Sequence, residues 1–163
     1  MPVQVLGVHR FTIRSSKQFD QVLQAIDASI GHPDMNVVMD EIAVANDDGQ
    51  FQSVIDPAGG SSGFVEFSRI DLTPFIRLRR SVRIIAGDPR VMCSMAGQIP
   101  EAAAYGTVAI QIDERANGVL LSYDRIAEHV EEYEDKFVFE LARNLEKRIE
   151  SLLTAASEQG KQS

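Results

Sequence analysis

Apolar and polar positions alternate along the chain with two different periods, and the period distinguishes strands from helices. Apolar side chains at every second position predict β-strands over residues 3–13, with a break in the pattern at residues 6–8, and over residues 82–86. Further strands are predicted over residues 64–70, 107–113 and 119–123. Steps of three and four residues predict helices over residues 16–30, 34–44, 51–55, 125–133 and 136–156, with shorter helices beginning near Thr73 and Asp88.

Residues that favour helix starts and turns separate these segments. Ser15 and Gln18 have the spacing of a capping box. Asp88 and Asp124 are each placed to accept amide hydrogen bonds at the first turn of a helix. Residues 114–118 have the composition of a hairpin turn, and residues 57–63 form a loop rich in glycine and serine that we expect to be flexible.

The order of the predicted strands indicates the fold class. They come as one strand, then a connected pair, then a hairpin, which is not the regular strand–helix alternation that forces a parallel sheet. The sequence therefore predicts a single α+β domain over residues 1–157, an antiparallel sheet of about five strands with helices packed on one face. Residues 158–163 are predicted to be a frayed tail.

The last helix, over residues 136–156, has the strongest amphipathic pattern. Its apolar stripe consists of Val138, Ala142, Leu145, Ile149, Leu152 and Ala156, widened by Leu141 and Leu153. A stripe confined to positions separated alternately by four and three residues would indicate a helix-to-helix contact across a dimer. The widened stripe also fits packing on the protein's own sheet, and we favour that interpretation.

Composition narrows the classes of function. The 163 residues carry a formal net charge of −8, which disfavours sequence-independent binding to nucleic acid or to an anionic membrane surface. No apolar run approaches the length that spans a bilayer, and the first residues lack the pattern of a secretory signal. The single cysteine, Cys93, cannot form an internal disulfide. We therefore expect a cytoplasmic protein that binds neither nucleic acid nor membrane.

Several short motifs follow one another in a fixed order between residues 70 and 124. They are Ile70-Asp71-Leu72, the strand and turn over residues 82–89, Met92 and Met95 in the next helix, Pro100, and the hairpin that ends with residues 118–124. Their order and spacing resemble those of the bacterial family called domain of unknown function 302 (DUF302), over about residues 64–130.

This resemblance implies a fold of the TATA-binding-protein-like type, a curved antiparallel sheet with helices on one side. It also implies a homodimer, since dimers are known in this family. The family has no assigned activity. Leu72 stands where the family usually has histidine, and Asp88 where it usually has asparagine. No role for that histidine can therefore be carried over to this chain.

Motifs that could suggest catalysis or metal binding have simpler explanations. Residues 59–63 match the Gly-x-Ser-x-Gly pattern of a nucleophile elbow, but they precede a predicted strand, whereas an elbow follows a strand and precedes a helix. His9, His32 and His129 are far apart in sequence, and Cys93, with no partner at ligand spacing, is interpreted as a packing residue. The sequence predicts no catalytic residue, metal ligand or cofactor.

The candidate contacts to a ligand or partner are Asp71, Arg77, Arg79, Arg80, Asp88, Tyr123 and Asp124. The aspartates fall near strand ends, where the fold could gather them, although capping and turn bracing are the favoured roles. The arginines belong to a basic segment, residues 69–90, which contrasts with an acidic segment, residues 128–135. We expect the two segments to pair with each other or to be separately solvated, and the alternative is a site on the arginines for an anion or an acidic partner.

Three functions remain open. The leading hypothesis is a small non-catalytic binding or regulatory module, acting as a homodimer, with an apolar or anionic small-molecule ligand on the sheet or between helix and sheet. The second is an acid–base enzyme using Asp71, Asp88, Tyr123 or Asp124 at one end of the sheet. The third is a protein-interaction subunit whose arginine-rich segment meets an acidic partner.

Overall fold

Five antiparallel strands form one sheet in the order β1-β5-β4-β3-β2 in the computed structural model, which describes residues 2–159. The strands are β1 (Arg10–Ser15), β2 (Val65–Asp71), β3 (Ser81–Gly87), β4 (Thr107–Arg115) and β5 (Gly118–Asp124). Strands β4 and β5 form the predicted hairpin, and each neighbouring pair runs antiparallel. The predicted sheet is confirmed.

The helices pack on one face of this sheet, as predicted. They are α1 (Phe19–Ser29), α2 (Met35–Ala43), α3 (Asp48–Ala58), α4 (Thr73–Ile76), α5 (Pro89–Gln98), α6 (Ala127–Val130) and α7 (Lys136–Ser157), with 3₁₀ turns at Pro100–Gly106 and Glu131–Tyr133. The long C-terminal α7 contacts β1, α1, α5 and α6. Within residues 2–159, none of the helices is long and apolar enough to cross a membrane.

The two-residue alternation of the strands separates core from surface. On β5, Val119, Leu121 and Tyr123 point into the core beneath the helices, while Leu120 and Ser122 lie on the other face. The apolar stripe of α7 is buried in the same core. The preferred interpretation of that stripe, packing within the subunit, is therefore confirmed.

The first strand is shorter than its sequence pattern. It begins at Arg10, the residue that pairs with Asp124 at the end of β5, and residues 2–9 form no regular element. The predicted capping box is displaced as well: α1 begins after Gln18, whose amide donates to Oε1 of Gln21 at 3.0 Å. Ser15 instead donates its hydroxyl to the carbonyl of Ser157 at 2.7 Å. Of the predicted tail, residues 160–163 lie outside the described residues.

The prediction that Asp124 caps a helix over residues 125–133 is wrong. Helix α6 begins only at Ala127, and Asp124 accepts hydrogen bonds from Arg10 at 2.6 and 3.2 Å instead. The amides of Ile126 and Ala127 donate to Oε1 of Glu146 at 3.0 and 2.8 Å. A buried carboxylate from α7 thus caps α6, a contact that local spacing could not reveal.

Candidate functional site

The sheet face opposite the helices carries a groove with a volume of about 540 Å³. Its lining comes mainly from strand positions that alternate with the core residues. These positions include Arg10 and Thr12 of β1, Arg83 of β3, Gln111, Asp113 and Arg115 of β4, and Leu120, Ser122 and Asp124 of β5. We call this site the sheet groove.

Strand register aligns the polar side chains of the sheet groove. Arg83 pairs with Gln111, Gln111 with Ser122, and Ser122 with Thr12. Side chains directly opposite each other in antiparallel strands have Cβ atoms about 4.5–5.5 Å apart. Four polar groups therefore form one row that crosses four strands.

The acidic side chains of the sheet groove already have partners. Asp124 is bound by Arg10, and this hydrogen bond holds the pKa of the Asp124 carboxyl below its ordinary value. Asp113 Oδ1 accepts hydrogen bonds from the Ser81 hydroxyl at 2.7 Å and from Nε2 of Gln111 at 3.0 Å. Neither carboxylate forms an ion pair with the other two arginines of the groove, although the charge of Arg83 also contributes to lowering the pKa of Asp124.

Two arginines of the sheet groove, Arg83 and Arg115, are not ion-paired. Among residues 2–159, no carboxylate oxygen lies within 4.0 Å of either guanidinium. Guanidinium groups bind carboxylates and phosphates through paired N–H donors. The sheet groove consequently offers two guanidinium groups without a direct carboxylate partner among residues 2–159, next to a row of hydroxyl and amide groups.

Of the seven candidate residues from the sequence, Tyr123 and Asp124 line the sheet groove. The side chain of Tyr123 is directed mainly into the core, with the residue 2% exposed. Its hydroxyl donates to Oε1 of Glu150 at 2.9 Å, and Arg125 Nε donates to the same oxygen at 2.8 Å. Burial raises the pKa of Tyr123 far above its ordinary value, so its hydroxyl stays protonated at neutral pH.

Asp71 and Asp88 lie at opposite ends of the sheet and stabilise local structure. Asp88 accepts a hydrogen bond from the amide of Arg90 at 2.9 Å and forms an ion pair with Arg148 at 2.8 Å. Asp71 accepts from Thr73 at 2.9 Å, and the hydrogen bonds to Thr73 keep the pKa of the Asp71 carboxyl below its ordinary value. The predicted helix cap at Asp88 and the predicted turn contact of Asp71 are confirmed.

The three candidate arginines differ in their surroundings. Arg80 lies 4.4 Å above the ring of Phe19 and donates to Oδ1 of Asp20 at 2.5 Å, so it is engaged within the protein. Arg77 and Arg79 are exposed in the connection between α4 and β3 and form no ion pair with other residues of the range 2–159.

The basic segment does not pair with the acidic segment. Arg69 binds Asp27 and Glu66, and Arg90 binds Asp56. The partners of these arginines lie on α1, α3 and β2. Of the two arrangements expected for the charged segments, pairing with each other is therefore not the one that these arginines adopt.

The glycine and serine loop, residues 59–63, lies between α3 and β2, an order that does not match a nucleophile elbow. The loop is held in place: the amide of Ser62 donates to the carbonyl of Ser29 at 3.1 Å, and Arg148 donates to the carbonyl of Ser62 at 2.9 Å. A Cβ on Gly60 would lie 2.3 Å from the carbonyl oxygen of Ser29, so only glycine fits there. A cavity of about 410 Å³ lies beside this loop and α7.

One cluster has residue types that bind metals. Oxygen and nitrogen atoms of Asp27, His32 and Glu66 lie within 4.8 Å of one another. The guanidinium of Arg69 donates to both carboxylates and already supplies positive charge at this point. A metal ion would have to displace Arg69, so we interpret the cluster as an ion-pair network that joins α1 to β2. Sequence spacing did not reveal it because the tertiary fold brings its members together.

Cys93 is exposed on α5, so the prediction that it is a packing residue is wrong. Partial burial of its thiol raises the pKa of Cys93. A raised pKa disfavours the thiolate, the reactive form of the side chain.

The architecture defines a class of α+β domain in which a five-stranded antiparallel sheet has helices on one face and a groove on the other. The crystal structure of an uncharacterised conserved DUF302 protein from Bacillus stearothermophilus matches this chain with a TM-score of 0.63. The match covers 90% of this chain and 97% of that chain, at 10% sequence identity. The chain therefore has a DUF302-type fold, as the motifs between residues 70 and 124 predicted. No protein-family model and no curated protein matches the sequence.

Sequence reasoning missed two arginines of the sheet groove, Arg10 and Arg115, and included Arg83 only as a member of the basic segment. A usable signal was present in the strand pattern. Arg10 and Arg83 alternate with apolar neighbours, which places them on the face opposite the core. Which strands lie side by side, and hence which polar residues meet, depends on the tertiary pairing.

Proposed function

We propose that this protein is a small non-catalytic binding module, acting as a homodimer, that holds an anionic ligand in the sheet groove. One observation carries the proposal: Arg83 and Arg115 line the groove without a carboxylate partner among residues 2–159. The neighbouring Thr12, Gln111 and Ser122 side chains supply further hydrogen-bonding groups.

The size and polarity of the sheet groove support this choice of ligand. A volume of about 540 Å³ falls within the range of small-molecule sites. Its row of guanidinium, amide and hydroxyl groups favours a polar ligand over an apolar one. The whole chain carries a formal net charge of −8, so Arg83 and Arg115 provide local positive charge on a chain that is acidic overall.

The positions of the acid–base candidates support a non-catalytic role. Asp71 and Asp88 do not line the sheet groove, and Asp124 is held ionised by Arg10. The hydroxyl of Tyr123 is bound to Glu150 and is kept protonated by burial. A general acid or base needs a pKa near the working pH and access to a substrate. These groups give the acid–base alternative little support.

The homodimer requires a surface other than the apolar stripe of α7, because that stripe is buried within the subunit. An exposed apolar cluster is available near α4, where Phe75 and Leu78 are 81% and 91% exposed. Exposed apolar groups of this kind are typical of association surfaces.

Isothermal titration calorimetry with inorganic phosphate, succinate and adenosine monophosphate, with adenosine as the neutral comparison, tests ligand binding. We expect at least one anion to bind, and the combined Arg83→Gln and Arg115→Gln variant to lose at least about tenfold in affinity, since a charge-assisted hydrogen bond contributes about 1.5–3 kcal/mol. The combined Arg77→Gln and Arg79→Gln variant is the matched control, because it also removes two arginines that form no ion pair but lie outside the groove.

The outcomes separate the hypotheses. If none of the three anions binds the wild-type protein, the proposed ligand class is wrong. If binding is lost in the Arg77 and Arg79 control and kept in the groove variant, the anion binds at the α4 connection, and the alternative of an acidic partner there is favoured.

A further inference from the structure

The connection between β2 and β3 exposes apolar and basic side chains together. Phe75, Ile76, Arg77, Leu78 and Arg79 form this surface, which we call the basic knob. Phe75 is 81% exposed and Leu78 is 91% exposed, while Arg77 and Arg79 have no ion-pair partner among residues 2–159. Large apolar side chains rarely stand this far into solvent beside unpaired charges without a partner surface.

A surface with the opposite charge lies at the start of α7. Glu131, Glu134, Asp135, Lys136 and Phe139 line a pocket of about 240 Å³, which we call the acidic pocket. Glu131 and Glu134 have no basic side chain within 4.0 Å in the part of the chain that the structure describes. Phe139 packs against the core and provides an apolar wall.

The basic knob and the acidic pocket cannot meet within one chain. The knob comes shortly after Asp71, the last residue of β2, which is an edge strand of the sheet. Asp71 pairs with Val82, so the knob lies at the end of the sheet where β3 begins. The acidic pocket follows β5, whose last residue Asp124 pairs with Arg10 on the opposite edge strand, β1. Since β5 runs antiparallel to β4 and β4 antiparallel to β3, Asp124 lies at the other end of the sheet.

We propose that the basic knob of one copy docks in the acidic pocket of a second copy, and that a two-fold axis makes the contact reciprocal. This inference rests on the homodimer part of the proposed function and names its surfaces. Phe75 and Leu78 pack against the apolar wall at Phe139, and Arg77 and Arg79 approach Glu131 and Glu134. In a two-fold dimer the same pair of contacts forms twice, which closes the assembly.

Charge complementarity argues for a second copy as the occupant. The chain carries both members of a matched pair of surfaces. Within residues 2–159, the arginines of the knob and the two glutamates of the pocket form no ion pair. Two copies with a formal net charge of −8 repel each other over most orientations. Orientations that bring the basic knob to the acidic pocket are the exception, and such steering selects a specific arrangement.

Charge reversal of each surface gives a direct test by native mass spectrometry and analytical ultracentrifugation of the full chain. The knob variant combines Arg77→Glu with Arg79→Glu, and the pocket variant combines Glu131→Arg with Glu134→Arg. All four residues are exposed, so the variants are expected to fold, which circular dichroism checks. The control combines Asp40→Arg with Glu41→Arg on the exposed surface of α2.

We expect the wild type and the control to be dimers and each reversed variant alone to be a monomer. An equimolar mixture of the knob and pocket variants should form a one-to-one heterodimer, because both of its contacts then join opposite charges. Raising the salt from 50 to 500 mM should weaken the wild-type dimer about tenfold, since screening weakens exposed ion pairs.

Three results would overturn the inference. Dimers that persist in both reversed variants would place the interface elsewhere and leave the homodimer intact. Reversed variants that stay monomeric when mixed would show that these charges do not meet each other. A wild type that is monomeric at 100 μM would remove the homodimer as well, whereas anion binding to the sheet groove is measured independently of either result.

Discussion

Consecutive residues of one strand lie in different environments on the two faces of the sheet. On β5, Leu121 is fully buried beneath the helices, whereas Leu120 lines the sheet groove on the other face. Polar groups differ in the same way. Glu146, on the helix side, is 2% exposed and accepts from two amides and from Arg143. On the groove side, Arg83 and Arg115 have no carboxylate partner in the described part of the chain.

The residues that stabilise the fold and the residues that are free to bind a ligand therefore lie on different faces of the sheet. Burial beneath the helices requires each polar group to find a partner within the protein, because an unpaired buried group costs free energy. The groove face is open to solvent, so water can satisfy its side chains until a ligand replaces that water. Substitutions on the two faces should therefore have different consequences, and matched pairs of variants measure the difference.

The largest effect is expected from the pair of leucines on β5. Leu121→Ala should lower the free energy of unfolding by about 2–5 kcal/mol, because it leaves a cavity in a packed core. Leu120→Ala should lower it by less than about 1 kcal/mol, since that side chain is only partly buried. Urea denaturation monitored by circular dichroism measures both. Equal losses would show that the groove face is packed as tightly as the core.

The second comparison is between the buried carboxylate of Glu146 and an exposed carboxylate on the same helix. Glu146→Ala leaves the amides of Ile126 and Ala127 without their acceptor, so we expect a loss of about 3 kcal/mol in the free energy of unfolding. Glu140→Ala, on the exposed side of the same helix, should change it by less than about 0.5 kcal/mol. The same denaturation experiment applies, and a small effect at Glu146 would mean that water replaces the carboxylate at the start of α6.

The core-facing tyrosine predicts a dependence on alkaline pH. Burial raises the pKa of Tyr123 in the folded state above its ordinary value of 10.0. The stability linked to its protonated form is therefore complete below pH 10 and declines as the pH rises above 10, where the unfolded chain loses the proton first. Tyr123→Phe should lower stability by about 1 kcal/mol at pH 7. The substitution should also make the decline in the free energy of unfolding between pH 10 and 11.5 shallower than in the wild type. Parallel curves of this free energy against pH for the two proteins would contradict the expectation.

The smallest effect is expected on the groove face, from the exposed pair of Asp124 and Arg10. The hydrogen bond from Arg10 lowers the pKa of Asp124 below its ordinary value of 3.8. Its contribution to stability is present above pH 3.8 and is lost as the pH falls through the lowered pKa. Asp124→Asn should therefore be slightly less stable than the wild type at pH 7 and should converge with it at pH 2. Thermal denaturation across this range measures the difference, and a gap that widens toward acid pH would show the opposite linkage.

Much of the fold followed from local patterns. The hairpin of β4 and β5, the amphipathic α7 and the cap at Asp88 were predicted because strand alternation, helical spacing and capping act over a few residues. The candidate site was harder. Asp124 has the local spacing of a cap, yet it binds Arg10, 114 residues away in sequence. The carboxylate that caps α6 comes from Glu146 in the next long helix.

By itself, the sequence determined the class of fold, the number of strands and, where apolar and polar residues alternate, the side of a strand that faces the core. These properties depend on residue spacing, which is a property of the chain. Only the tertiary structure decided which arginines remain unpaired and which polar residues stand side by side in the sheet groove. Those properties depend on contacts between strands and helices far apart in sequence, and such contacts exist only once the sheet has formed.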